Sequence, residues 1–99
     1  MLKGKQKRQL RALANGINPI FQIGKASISE EMIIGISEAL EKRELIKINI
    51  LQNCEDNKKF LADEIVRKTS SNLVQIIGNI IVLYKQSSNK KNRKIELIK

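Results

Sequence analysis

Ninety-nine residues suffice for one domain with its own core. The chain carries a formal net charge of +9, a single cysteine (Cys54), and no histidine or tryptophan. Those counts exclude an intramolecular disulfide, a cysteine-cluster metal site and histidine acid–base catalysis.

The first predicted element is a helix over about Lys5–Asn15, closed by Gly16 in a left-handed cap. At 100° per residue Leu2, Leu10, Leu13 and Ala14 share one arc, while Lys5, Lys7, Arg8 and Arg11 share another. Residues 1–11 hold five bases and no acid. No i,i+4 pairing relieves that repulsion, which points to an outside partner.

Asn18-Pro19 marks a turn, and Ile20–Ile23 reads as strand one. Gly24-Lys25 follows, then Ser27, Ser29 and Glu30-Glu31 at a helix start. Ser27-x-x-Glu30 fits a capping box, and Ser29 is the rival cap. A glycine and a lysine before a helix N-terminus form a candidate phosphate-binding corner. Helix two is expected over about Glu30–Lys42, with Ile33, Ile36 and Leu40 buried and Gly35 permitting close packing. Lys42-Arg43 suit the helix C-terminus equally as dipole partners or as ligand contacts.

Leu45–Ile50 alternates, with Ile46, Ile48 and Ile50 on one face and Leu45, Lys47 and Asn49 on the other. It predicts a half-buried strand two with a polar outer face. Helix three is expected over about Asp56–Lys68, with Leu61, Ile65 and Phe60 in its core stripe. Leu73–Ile77 and Ile80–Tyr84 flank Gly78-Asn79, the signature of a hairpin with a two-residue turn.

Residues 85–99 hold six bases and one acid. Gln86–Lys94 is too polar to build a core, so a domain over 1–85 and a mobile basic tail over 86–99 are expected. Residues 12–84 carry eight bases against nine acids. The excess charge thus sits at the two ends, the footprint of a polyanion partner. An acidic protein surface docked by the basic ends is the alternative.

The order α-β-α-β-α-β-β predicts an α/β (α+β) domain with a small four-stranded mixed sheet packed with helices. Catalysis finds no support. Cys54 has no histidine to activate it. The paired acids are sequence neighbours whose side chains do not face each other on a helix, and Gly24-Lys25 lacks the P-loop frame. No cofactor, metal or small-molecule substrate is expected. No apolar run nears the roughly 20 residues that span a bilayer, and no apolar core follows the basic N-terminus. A cytoplasmic monomer that avoids membranes is expected. With three aromatics, Phe21, Phe60 and Tyr84, affinity for a nucleic acid would come from phosphate contacts rather than base stacking.

Several blocks together resemble the YhbY family of stand-alone bacterial CRM domains. They are Lys5-Gln6-Lys7-Arg8 with Leu10, Asn18-Pro19-Ile20, Ile23-Gly24-Lys25, Arg43–Ile48, Val74–Gly78 and Val82-Leu83-Tyr84. The resemblance spans about residues 2–84. It implies a fold similar to the C-terminal domain of translation initiation factor three. It also implies an RNA-binding module associated with ribosomal RNA in precursors of the large ribosomal subunit. Family members carry a GxxG loop between strand one and helix two; here it reads Gly24-Lys25-Ala26-Ser27. The RNA-binding residues expected on residues and resemblance together are Lys5, Lys7, Arg8, Arg11, Gly24, Lys25, Ser27, Lys42 and Arg43.

Overall fold

Ile46, Ile48 and Ile50 alternate along a strand that lies inside a four-stranded sheet. The architecture is that of a computed structural model, which describes residues 2–25 and 27–99. Its elements are α1 (Gly4–Ala14), β1 (Phe21–Ile23), α2 (Glu30–Arg43), β2 (Leu45–Ile50), α3 (Lys58–Thr69), β3 (Asn72–Ile77) and β4 (Ile80–Tyr84). A 3-10 turn follows at Lys90–Asn92. The spatial strand order is β1-β2-β4-β3. β1 runs parallel to β2, as a helical crossover demands. β4 is antiparallel to both neighbours and wedges between β2 and β3.

Each face of the sheet has its own core. On one face, Ile23, Ile46, Ile48, Ile50, Ile81 and Leu83 meet Ile36 and Leu40 of α2 and Leu61 and Ile65 of α3. Each such aliphatic side chain stabilises the fold by about 1.5–3 kcal/mol through burial. On the other face, Leu45, Val74, Val82 and Tyr84 meet Leu10 and Ala14 of α1. Val74 reaches that second core because the β3–β4 register shifts between Leu73 and Gln75. A bulge there turns one extra residue toward α1. Gly35 is needed for close approach, since a Cβ there would lie 3.3 Å from the Phe21 ring.

Several local expectations change. Gly16 is not left-handed: α1 ends through Asn15 in right-handed backbone. Ser29 caps α2, its hydroxyl accepting from the Met32 N–H at 3.1 Å, so Ser27 is freed for the loop. Asn57 caps α3, which therefore starts two residues later than expected. Phe60 is 56% exposed, because α3 turns its Leu61–Ile65 side to the sheet. The outer face of β2 is not simply polar either, since α1 covers Leu45.

The largest correction concerns residues 86–99, which are docked rather than loose. Ile95 and Leu97 pack on the α1 core, and Ser87 is buried. Two acids, one in the last turn of α2 and one at its cap, hold the segment. The fully buried Glu44 carboxylate accepts from the Ser87 N–H at 2.8 Å, the Lys94 N–H at 2.9 Å and the Ile95 N–H at 3.3 Å. Glu41 accepts from the Ser88 N–H at 2.8 Å, the Asn89 N–H at 3.0 Å and the Ser87 hydroxyl at 3.0 Å. The Gln6 and Gln9 side chains of α1 donate to the Ile98 and Glu96 carbonyls. Part of the polar composition here thus supplies donors aimed at carboxylates, although most of these side chains remain exposed.

Candidate nucleic-acid interface

The basic residues fall into three groups set by the elements that carry them. The first is α1. It has no side-chain acceptor at its Lys3 cap; Gln6 reaches back instead, its Oε1 accepting from the Lys3 N–H at 2.9 Å. Burial of Leu10 and Ala14 turns Lys5 and Arg8 to solvent and leaves Lys7 and Arg11 half-buried at the edge. Arg11 lines a cleft with Lys47 and Gln75, on the part of the sheet that α1 leaves open. Among the described residues the ion pairs are Lys59–Asp63 and Arg67–Glu64, both on α3. The α1 cations thus have no acidic partner among those residues.

The second group is the loop after β1. The Ser27 N–H donates to the Gly24 carbonyl at 2.9 Å, closing a turn. Gly24 sits tight, since a Cβ would lie 3.2 Å from Asn53 Oδ1. Ser27 occupies left-handed backbone at φ 58°, a conformation that glycine adopts without the steric cost of a Cβ. Its hydroxyl donates to the Asp56 carboxylate. Glu30 and Glu31 occupy the first turn of α2. A carboxylate therefore already holds the Ser27 hydroxyl, and two more sit at the end of the helix dipole that would attract a phosphate. The sequence missed Asp56 because it lies 29 residues beyond Ser27.

The third group is Lys42-Arg43, at the opposite end of α2 from the loop. Fourteen helical residues at 1.5 Å each put roughly 20 Å between the two. The structure does not join the loop and this pair into one site. It does bring Lys42 and Arg43 to Lys94, a cation that the sequence alone assigns to a loose tail. These three rim a groove of about 590 Å³ with Leu13, Ile17, Asn18, Ile20, Leu45, Ile46 and Ile95. No acid lines it.

Fold and site together define a small basic α/β domain with clusters of cations, unpaired among the described residues, on α1 and around one groove. The model of the CRS1 / YhbY (CRM) domain matches residues 2–85, and the chain belongs to that family. It is 56% identical to the "Probable RNA-binding protein YqeI" of Bacillus subtilis, over 98% of this chain and 99% of that one. It is 37% identical to an "RNA-binding protein" of Haemophilus influenzae, over 91% of each chain. The solution structure of a hypothetical protein from Staphylococcus aureus superposes with a TM-score of 0.79 at 55% identity. That match covers 99% of this chain and all of the other.

Proposed function

We propose that this protein is a non-catalytic RNA-binding module that associates with ribosomal RNA in large-subunit precursors and aids their assembly. The observation that carries the reading is α1, whose Lys5, Lys7, Arg8 and Arg11 stand without acidic partners among the described residues. A polyanion is the partner that relieves such a face. The names of the relatives, "Probable RNA-binding protein YqeI" and "RNA-binding protein", support RNA as that polyanion. The absence of histidine from the sequence supports binding without chemistry.

Affinity comes from phosphate contacts on α1, with structured RNA read through its backbone and shape. The protein works as a cytoplasmic monomer. The Gly24 loop contributes less than α1, because Asp56, Glu30 and Glu31 surround it. Sedimentation of a cell extract tests the assignment. The protein should travel with particles that contain precursor large-subunit RNA and should leave them after ribonuclease treatment. Migration as free protein in untreated extract, or with small-subunit particles alone, contradicts it.

A further inference from the structure

The groove rimmed by Lys42, Arg43 and Lys94 is not explained by a phosphate-binding helix face. Its floor is apolar and open to water. Leu13 is 45% exposed and Ile20 is 39% exposed, and both line the groove beside Ile17. Folding that buries Leu10 and Ala14 against the sheet leaves these aliphatic groups wet. At about 590 Å³ the groove lies within the roughly 300–1,000 Å³ of small-ligand sites.

We propose that this groove holds an unpaired nucleotide of the bound RNA, its base on Leu13, Ile17 and Ile20 and its phosphates on Lys42, Arg43 and Lys94. The inference rests on the RNA-binding reading above and adds the kind of RNA element recognised.

Charge and shape select the occupant. Three exposed cations and no acid line the groove, and none of the three side chains has an acidic partner among the described residues. An anion therefore fits. A second copy of a chain with net charge +9 does not. A paired helix presents phosphates and hides its base faces, so it has nothing to bury on an apolar floor. An unpaired base has an apolar face to bury and carries its phosphates with it. Arg43 can also lay its guanidinium plane on the base, and the Asn18 amide offers a donor and an acceptor to a base edge.

The docked C-terminal segment completes the groove. Lys94 and Ile95 form one wall, and their N–H groups are fixed by Glu44 at 2.9 and 3.3 Å. The buried acid thereby positions a cation at the site without touching the ligand.

Methyl NMR of the full chain tests this with three probes: a single-stranded RNA hexanucleotide, a blunt RNA duplex of equal charge, and an acidic amphipathic peptide. The hexanucleotide should shift the Leu13, Ile17 and Ile20 methyls, and the duplex should not. Lys42→Ala combined with Arg43→Ala and Lys94→Ala should weaken hexanucleotide binding about tenfold or more. All three side chains are exposed, so the fold should persist, and unchanged methyl spectra of the free variant check that. If the hexanucleotide and the duplex both bind but leave the Leu13, Ile17 and Ile20 methyls unmoved, the groove proposal fails and the RNA-binding reading stands. Equal shifts of the groove methyls by the duplex also overturn it. If only the peptide shifts those methyls, the occupant is a protein and the proposal is wrong. If neither RNA binds, both readings fall.

Discussion

Glu44 and Ser87 lie 43 residues apart in sequence, yet the Glu44 carboxylate accepts the Ser87 N–H at 2.8 Å inside the protein. With the Lys94 and Ile95 N–H groups on its other oxygen, this buried acid ties the C-terminal segment to the end of α2. A buried donor stripped of its partner costs about 1–3 kcal/mol. Glu44→Ala strips one buried donor, the Ser87 N–H, and two part-buried ones, and water entering the void recovers part of that. The variant should lose about 2–4 kcal/mol in urea unfolding. Truncation after Lys85 removes Ile95 and Leu97 from the α1 core as well. It should lower Tm by about 10 °C or more. A truncated chain as stable as the full one would show that the docked segment adds nothing.

Glu41 makes the same attachment sensitive to acid. Hydrogen bonds from the Ser88 and Ser87 hydroxyls hold its carboxyl below the ordinary value of 4.5, against an opposing effect of burial. A depressed folded pKa stabilises the fold above the unfolded value, and that contribution is lost as pH falls through the folded one. Glu41→Gln should therefore melt below the wild type at pH 7. The gap should close as pH drops below the ordinary value of 4.5. A gap independent of pH would mean that the ionised carboxylate is not what holds Ser87 and Ser88.

Ser27 separates backbone strain from side-chain bonding. Left-handed backbone costs a residue with a Cβ about 1–2 kcal/mol, whereas glycine loses about 0.5–1 kcal/mol through its freer unfolded chain. Ser27→Gly relieves the first, incurs the second and removes the bond to Asp56. Its stability should stay within about 1 kcal/mol of wild type. Ser27→Ala keeps the strain and removes the bond, so it should melt below Ser27→Gly. Both variants lack the Asp56 bond, so the reverse order would mean that glycine's freer unfolded chain outweighs the left-handed strain.

The loop's place in RNA binding follows from its neighbours. With Asp56 on Ser27 and with Glu30 and Glu31 in the adjacent helical turn, Lys25 supplies one cation among several anions. Lys25→Ala should weaken binding to ribosomal RNA less than the pair Arg8→Ala and Arg11→Ala. Gel-shift titrations of the two variants decide it. A larger effect of Lys25→Ala would return the loop to the centre of the interface.

The sheet was legible because its signals are local. Period-two isoleucines predict Leu45–Ile50 with the observed bounds, and the Gly78-Asn79 dipeptide predicts the hairpin. Gly78 does take the positive φ, +57°, that such a turn favours in glycine. The tail was not legible because its signal is not local. Gln86–Lys94 looks like a solvated linker until Glu41 and Glu44 face its N–H groups. The same distance hid the groove: Lys94 meets Arg43 only after the segment docks. Phe60 misled because a stripe drawn at 100° per residue could not tell the α3 side that faces the sheet from the side beside it.

RNA phosphates gripped by α1 are the centre of the proposed function. Filter-binding titration with large-subunit ribosomal RNA over a range of salt tests that grip most directly, with wild type beside the Arg8→Ala, Arg11→Ala double variant. Arg8 is exposed and Arg11 is half-buried with no acidic partner among the described residues, so each change should move stability by no more than about 0.5 kcal/mol. Log affinity of the wild type should fall linearly with log salt, by about 0.7–0.9 for each phosphate neutralised. The double variant should bind more weakly, with a slope shallower by about one unit for each phosphate it no longer neutralises. A flat salt response, or a variant with wild-type affinity and slope, would contradict the account.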